Sequence, residues 1–165
     1  MPLTIHQKSA LLPLLNATMI LRSLGKSLSR KKSLKEFKRK LFEKLDKLTD
    51  LLNDGKLTEG HIIASIKALS QEFDISFGQA QKPINVILKY HFYLTRNKNQ
   101  RTQKVLHCPI DSFILGELNE RAISLTKIKD KEYRKFQQEI QNQNSIRIEF
   151  DTKWDEQHLR RSGLL

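Results

Sequence analysis

The sequence predicts an all-α protein, and three observations lead to this fold class. Apolar residues recur at spacings of three and four along several segments, which is the period of a helix that buries one face. Only residues 146–150 alternate in the manner of a strand. The chain of 165 residues is long enough for one domain with a proper core and short for two. We therefore expect a single bundle of five to seven helices.

The N-terminal part is predicted to be a helix followed by a flexible joint. Apolar residues between Leu11 and Leu24 suggest one amphipathic helix, with Pro13 in its first turn. The stretch Ser27–Ser33, SLSRKKS, has Leu28 as its one apolar residue. We assign residues 1–32 to this helix and basic joint, and residues 33–165 to the main bundle.

Two helices are predicted next. Ser33 with Glu36 forms a capping-box pattern, and a leucine-rich stripe runs from Leu34 to a stop at residues 53–55. A further helix begins at Thr58 and Glu59. The apolar residues on its buried edge are Ile62, Ile63, Ile66 and Leu69.

The second half of the chain is predicted to contain three more helices. After a break at Asp74–Gln79, one helix is expected from about Lys82 to Thr95, because Pro83 fits the first turn of a helix. Arg96–Lys104 is predicted to be a polar, basic loop. The other two helices are expected at Ser112–Leu118 and Asp130–Gln143.

Near the C-terminus, apolar and charged residues alternate over a short stretch. Ile146, Ile148 and Phe150 are separated by Arg147 and Glu149. This pattern predicts either a brief strand or an extended tail packed on the bundle.

Composition narrows the class of protein. One cysteine, Cys108, excludes an intramolecular disulfide, a four-cysteine zinc site and a cysteine-ligated iron–sulfur cluster. The five histidines lack metal-ligand spacing, so we expect neither a metal nor another cofactor. No segment has the pattern of a signal peptide or the ~20 apolar residues of a membrane span. We expect a cytoplasmic protein that does not bind membranes.

The net charge of +12 is concentrated in two segments. The first basic block, residues 26–47, has ten Lys or Arg and three Asp or Glu. The second basic block, residues 89–104, has five Lys or Arg and no acid, and the rest of the chain is neutral overall. Such concentration favours a polyanionic partner, with nucleic acid ahead of a membrane surface or a merely soluble basic surface.

The cations predicted to contact nucleic acid come from both blocks, and DNA is favoured over RNA. They are Lys31, Lys32, Lys35, Lys38, Arg39, Lys40, Arg96, Lys98, Arg101 and Lys104.

The segment from Phe77 to Leu115 carries a polar stripe on an otherwise apolar helix. Lys82, Asn85 and Lys89 fall at i, i+3 and i+7, and Gln81 lies beside them. A lysine in an apolar site loses its charge or needs a partner, and Asp111 is the candidate partner. A purely structural alternative is that Lys82 points into solvent, Lys89 extends its amine to water, and Asp111 caps a helix.

The sequences QKPINVILKY and PIDSFIL within this segment resemble the active-site region of helix–hairpin–helix DNA glycosylases, particularly the archaeal 8-oxoguanine branch. The resemblance covers about residues 78–118 and lacks the hairpin of the LPGVG type. It implies that Lys82 is the nucleophilic amine, Lys89 the second helix lysine and Asp111 the assisting carboxylate. The patterns GQAQK-x-x-N and PID-x-x-IL also resemble those of uncharacterised bacterial proteins.

Three functions therefore remain as hypotheses. The first is a non-catalytic nucleic-acid-binding protein that acts as a subunit or regulator, which leaves room for a protein partner. The second is a DNA glycosylase/lyase that attacks the sugar C1′ with Lys82 and forms a Schiff base. The third is a metal-independent ribonuclease of the HEPN type, since Arg101 and His107 fit a loose R-x(4–6)-H pattern.

Overall fold

The structure is a computed structural model, and it describes residues 3–10 and 34–165. Within these ranges the chain is helical and contains no strand, so the predicted all-α class is confirmed. Residues 5–10 are helical. The N-terminal helix predicted between Leu11 and Leu24 lies outside the described residues, and so do the basic joint, the Ser33 cap, Lys31 and Lys32.

Residues 34–165 contain seven α-helices and two short 3₁₀ turns at Leu125–Lys127 and Arg147–Glu149. The α-helices are α1 Leu34–Asn53, α2 Glu59–Phe73, α3 Phe77–Leu94, α4 Gln100–Val105, α5 Ser112–Glu117, α6 Asp130–Gln143 and α7 Thr152–Arg161.

Helix α3 lies at the centre of the fold. It packs against α1, α2, α6 and the 3₁₀ turn at Leu125–Lys127. Its side chains from Phe77 to Phe92 are buried except those of Lys82 and Tyr90. Because α3 is surrounded on nearly every side, its polar side chains must find partners inside the protein.

The predicted start of α3 was wrong. The helix begins five residues before Lys82, where Ser76 accepts a hydrogen bond from the Gln79 N–H at 3.0 Å and the Gln79 side chain accepts one from the Ser76 N–H. Pro83 consequently lies inside the helix and cannot donate the hydrogen bond that would go to the carbonyl of Gln79. Burial of α3 on several sides outweighs the loss of that one bond.

Two further predictions need correction. Half of the expected loop at Arg96–Lys104 belongs to α4, which Asn99 caps by accepting a hydrogen bond from the Thr102 N–H at 3.1 Å. The expected strand or tail at 146–150 is instead a 3₁₀ turn that leads into α7. In this turn Arg147 and Ile148 are both buried, because the guanidinium of Arg147 has polar partners inside the protein.

The other predicted elements agree with the structure. Helix α1 buries the expected apolar stripe, and α2 begins after Thr58 with its four isoleucine and leucine residues inward. Helix α6 has the predicted bounds, and Tyr133, Phe136 and Ile140 face the core. In the residues that the structure describes, none of the helices combines the length and the apolar character needed to cross a bilayer.

Candidate functional site

Lys82 and Asp111 lie together, as the sequence predicts. The Lys82 Nζ is 3.7 Å from the Asp111 Oδ2, and the two side chains are 19% and 27% exposed. Asp111 also caps α5 by accepting a hydrogen bond from the Ile114 N–H at 3.0 Å. The pair is therefore accessible to solvent and has a structural role as well as any chemical one.

Gln81 explains why these two residues meet. Its amide nitrogen donates to the carbonyl of Ile110 at 2.7 Å, and its amide oxygen accepts from the N–H of Ile110 at 3.2 Å. The same amide nitrogen donates to the carbonyl of Gly78. This two-point contact fixes the backbone before Asp111 against α3, one residue from Lys82.

Asn85 continues the buried network into α6. Its amide donates to Gln81 at 2.8 Å and to the hydroxyl of Tyr133 at 2.7 Å. Both amides are fully buried, and their hydrogen bonds go to protein groups on three separate segments. The residues of the predicted polar stripe therefore have two different roles. Gln81 and Asn85 connect buried segments by hydrogen bonds, whereas Lys82 faces the surface.

His107 takes part in the same network. Its Nδ1 lies 2.7 Å from the hydroxyl of Tyr133, and its Nε2 lies 3.6 Å from the carboxylate of Glu59. Burial lowers the pKa of His107, which favours the neutral ring. The contacts of Glu59 with His107 and with Arg147 lower the pKa of Glu59 to about 2.

The pair suggested for a ribonuclease is arranged differently from what that chemistry needs. Arg101 is exposed on α4, whereas His107 is 2% exposed. A histidine that acts on RNA must reach the ribose or the phosphate. The structure therefore does not favour this hypothesis.

Lys89 has partners other than Asp111. Its amine donates to the carboxylates of Asp151 and Asp155, each at 2.7 Å, and its side chain is 5% exposed. Burial alone would lower the pKa of Lys89, but the two carboxylates outweigh burial and raise it above its usual value. Lys89 is therefore held as an ammonium ion, which is not nucleophilic, and it anchors α7 to α3.

A cleft of about 580 Å³ lies beside this ion cluster. We call it the tyrosine cleft. Its aromatic and apolar lining consists of Tyr90, Tyr93, Leu94 and Ile148, and its acidic lining consists of Glu149 and Asp155. Tyr93 is 42% exposed and Leu94 is 74% exposed at the end of α3.

The second basic block continues directly from these exposed side chains. Arg96, Lys98, Arg101 and Lys104 are exposed, and none of them forms an ion pair with a described residue. The first basic block is different, since Arg39 pairs with Glu43, and Lys40 pairs with Glu43 and Glu72. Lys35 is exposed and Lys38 is partly buried on α1. Among the described residues, the second block therefore has four exposed cations without an acidic partner, whereas Arg39 and Lys40 of the first block are paired.

Among the described residues, no three His, Cys, Asp or Glu side chains come together in a way that could hold a metal ion.

Comparison with known proteins identifies no relative of this chain. No protein-family model, no curated protein and no solved structure matches this chain. The resemblance to DNA glycosylases consequently stays a prediction from the sequence.

Sequence reasoning missed the residues that complete these sites. Tyr90 and Tyr93 have helical spacing within an apolar run, so they resemble core residues until the exposed end of α3 is seen. Asp151 and Asp155 have a detectable signal, because acids at i and i+4 lie on one face of a helix. Sequence reasoning overlooked this spacing because residues 146–150 were predicted to be a strand or an extended tail, so no helix was expected after them.

Proposed function

We propose that the protein binds nucleic acid without catalysing a reaction on it, through the second basic block and the exposed end of α3. The observation that carries this proposal is the set of four exposed cations, Arg96, Lys98, Arg101 and Lys104, that lack acidic partners among the described residues. Free cations of this kind bind phosphates and release counterions from the nucleic acid. In the first basic block, Arg39 and Lys40 are paired with glutamates, which reduces the positive charge that these two side chains present to a phosphate.

The tyrosines add a second kind of contact to the same surface. Tyr93 is 42% exposed, lies three residues before Arg96, and lines the cleft with Tyr90. Exposed aromatic rings beside cations are the pattern with which proteins bind unpaired bases. The surface is therefore suited to a strand that places phosphates on the cations and bases toward the tyrosines.

Neutralising the second basic block is expected to weaken binding and its dependence on salt. In the variant with Arg96, Lys98, Arg101 and Lys104 all changed to glutamine, the slope of log K against log salt should fall by up to about 3.6, because each phosphate contact contributes about 0.9 on duplex DNA. Fluorescence anisotropy with labelled single-stranded DNA, duplex DNA and RNA, measured between low and moderate salt, gives the slope for each.

A matched control distinguishes the effect of where the four cations lie from the effect of lowering the net charge of the protein. Changing Lys67, Lys127, Lys129 and Lys131 to glutamine removes the same four charges from other exposed positions. This control should lower affinity slightly and leave the slope nearly unchanged. Equal losses of slope in the two variants would contradict the assignment of the surface, and binding of no nucleic acid by the unmodified protein would contradict the function.

A DNA glycosylase/lyase is the second candidate, and the 3.7 Å contact between Lys82 and Asp111 is the observation that favours it. Asp111 is placed to accept a proton from the amine, which could then attack the sugar C1′ as the base leaves.

This candidate predicts that borohydride traps a covalent adduct on DNA with abasic or oxidised sites, and that Lys82→Ala abolishes the adduct. Lys56→Ala, which removes a different exposed lysine, should leave the adduct intact. Without an adduct on any such substrate, the catalytic candidate is excluded.

A further inference from the structure

The tyrosine cleft combines features that suit a flat, uncharged ring with hydrogen-bond donors on its edge. Its volume of about 580 Å³ lies within the range of about 300–1,000 Å³ typical of small-molecule sites. Tyr90 and Tyr93 offer aromatic surface, and Leu94 and Ile148 add apolar walls. An aromatic ring of a ligand could thus stack and be largely removed from water.

The charged lining of the cleft consists of the Lys89 amine and two carboxylates, and Thr152 adds a hydroxyl. The carboxylates are those of Glu149 and Asp155, and the Lys89 amine also donates to a third carboxylate, Asp151, at 2.7 Å. The amine neutralises only one of these three carboxylates. The pKa of Tyr93 is raised by burial and then by the charge of Glu149, which is consistent with a negative potential at the cleft. A phosphate would be repelled here, although cations follow a few residues later.

Glu149 is the acidic group with capacity left for a ligand. The Gln103 amide donates to its Oε1 at 3.2 Å, and this carboxylate forms no other hydrogen bond or ion pair with the described residues. A carboxylate can accept about four hydrogen bonds. By contrast, Asp155 already accepts a bond from the Lys89 amine.

We propose that the tyrosine cleft holds one unpaired base of a bound single strand, that Tyr93 stacks on the base, and that Glu149 accepts hydrogen bonds from its edge. This inference rests on the proposed function, since the second basic block must hold the phosphates. Guanine fits best, because its N1–H and N2–H groups are adjacent donors that match the two oxygens of a carboxylate. Thymine and uracil fit worst, because two carbonyl acceptors flank their single N–H donor.

The test compares labelled dT12 with the same strand that carries one central guanine, measured by fluorescence anisotropy at fixed salt. We expect the unmodified protein to bind the guanine strand roughly 5- to 100-fold more tightly, the range that a good two-point contact to a base provides. Replacing the guanine with hypoxanthine, which lacks the 2-amino group, should reduce this preference. Tyr93→Ala should weaken both strands while the salt slope stays the same.

Glu149→Gln and Glu156→Gln form the decisive pair of variants. Both remove one negative charge from the C-terminal segment, but Glu156 is exposed and does not line the cleft. Only Glu149→Gln should bring the ratio of the two affinities close to one. If dT12 and the guanine strand bind equally to the unmodified protein, or if Glu149→Gln keeps the preference, the inference fails while salt-dependent binding still supports the proposed function. Binding of no strand would refute both.

Discussion

Lys89→Met is expected to lower the free energy of unfolding by about 3 kcal/mol, the lower end of the usual cost of breaking a buried ion pair. The lower end applies because Asp155 is 31% exposed, whereas Asp151 is 14% exposed. Methionine matches the lysine stem in length, so the cost comes from two carboxylates left without their cation. Urea unfolding followed by circular dichroism measures it.

The same change should also release α7. No side chain described between Thr152 and Arg161 is fully buried, and the buried Lys89 amine attaches the start of this helix to α3 through Asp151 and Asp155. Amide hydrogen exchange in α7 is therefore expected to accelerate in Lys89→Met more than exchange in α1 or α2. Adding Asp151→Asn to this variant should restore part of the lost stability.

Lys82→Met is the matched control, because Lys82 is also a lysine of α3 paired with an aspartate. Its pair is longer, 3.7 Å, and partly exposed, so the expected loss is at most about 1 kcal/mol. Similar losses in the two variants would contradict the role of Lys89 as the anchor of α7.

The stabilisation by Lys89 has a defined dependence on pH. Because its pKa is raised on folding, the folded chain keeps this proton at pH values where the unfolded chain has lost it. The stabilisation is therefore complete below about pH 10.4, the usual pKa of lysine, and declines as the pH rises further. The stability difference between the unmodified protein and Lys89→Met should shrink in that alkaline range.

Gly78→Ala is expected to destabilise the protein by about 2 kcal/mol, although alanine is normally the better helix residue. A Cβ at Gly78 would lie 2.3 Å from the carbonyl oxygen of Leu125 and 2.8 Å from the Cβ of Ile128. The 3₁₀ turn would have to move away, which would weaken the bonds from the Gly78 N–H to the Ile128 carbonyl and from the Ser76 hydroxyl to the Leu125 carbonyl. Overpacking of this kind costs about 1–3 kcal/mol.

Gly60→Ala is the control for helix propensity. Gly60 lies in the first turn of α2, and a Cβ there would meet only the Thr58 hydroxyl at an ordinary 3.6 Å. This variant should be more stable than the unmodified protein by up to about 1 kcal/mol. Thermal unfolding should therefore move in opposite directions for the two glycines, and a stabilised Gly78→Ala would refute the close packing at the start of α3.

Elements set by nearby residues were predictable. The stripe of α1, the start of α2 after Thr58 and the bounds of α6 follow from helical spacing and capping within a few residues. The start of α3 was misplaced because Pro83 suggested a first turn, whereas the hydrogen bonds between Ser76 and Gln79 determine the start. Proline usually lies in the first turn of a helix because it cannot donate a backbone hydrogen bond. Burial of α3 on several sides outweighs the loss of that bond at Pro83.

The candidate site was predictable only in part. The polar stripe on α3 was anticipated from helical spacing, and Asp111 was named as the partner of a lysine in an apolar site. The partners of Lys89 lie 62 and 66 residues further along the chain, in a helix that the alternating pattern at 146–150 concealed. The tyrosine cleft requires the ends of α3 and α7 to meet, which no local pattern reports.

The helical class, the extent of α1, the start of α2, the bounds of α6 and the location of excess charge all follow from residues close together in the chain, so the amino-acid sequence determines them. Which lysine faces water and which is buried between two carboxylates depends on how distant helices pack. Every lysine of α3 has the same intrinsic chemistry, so its partner is selected by the geometry of the folded chain. Packing thus makes Lys89 a structural anchor and leaves Lys82, Tyr93 and the cations of α4 and the loop before it accessible to solvent.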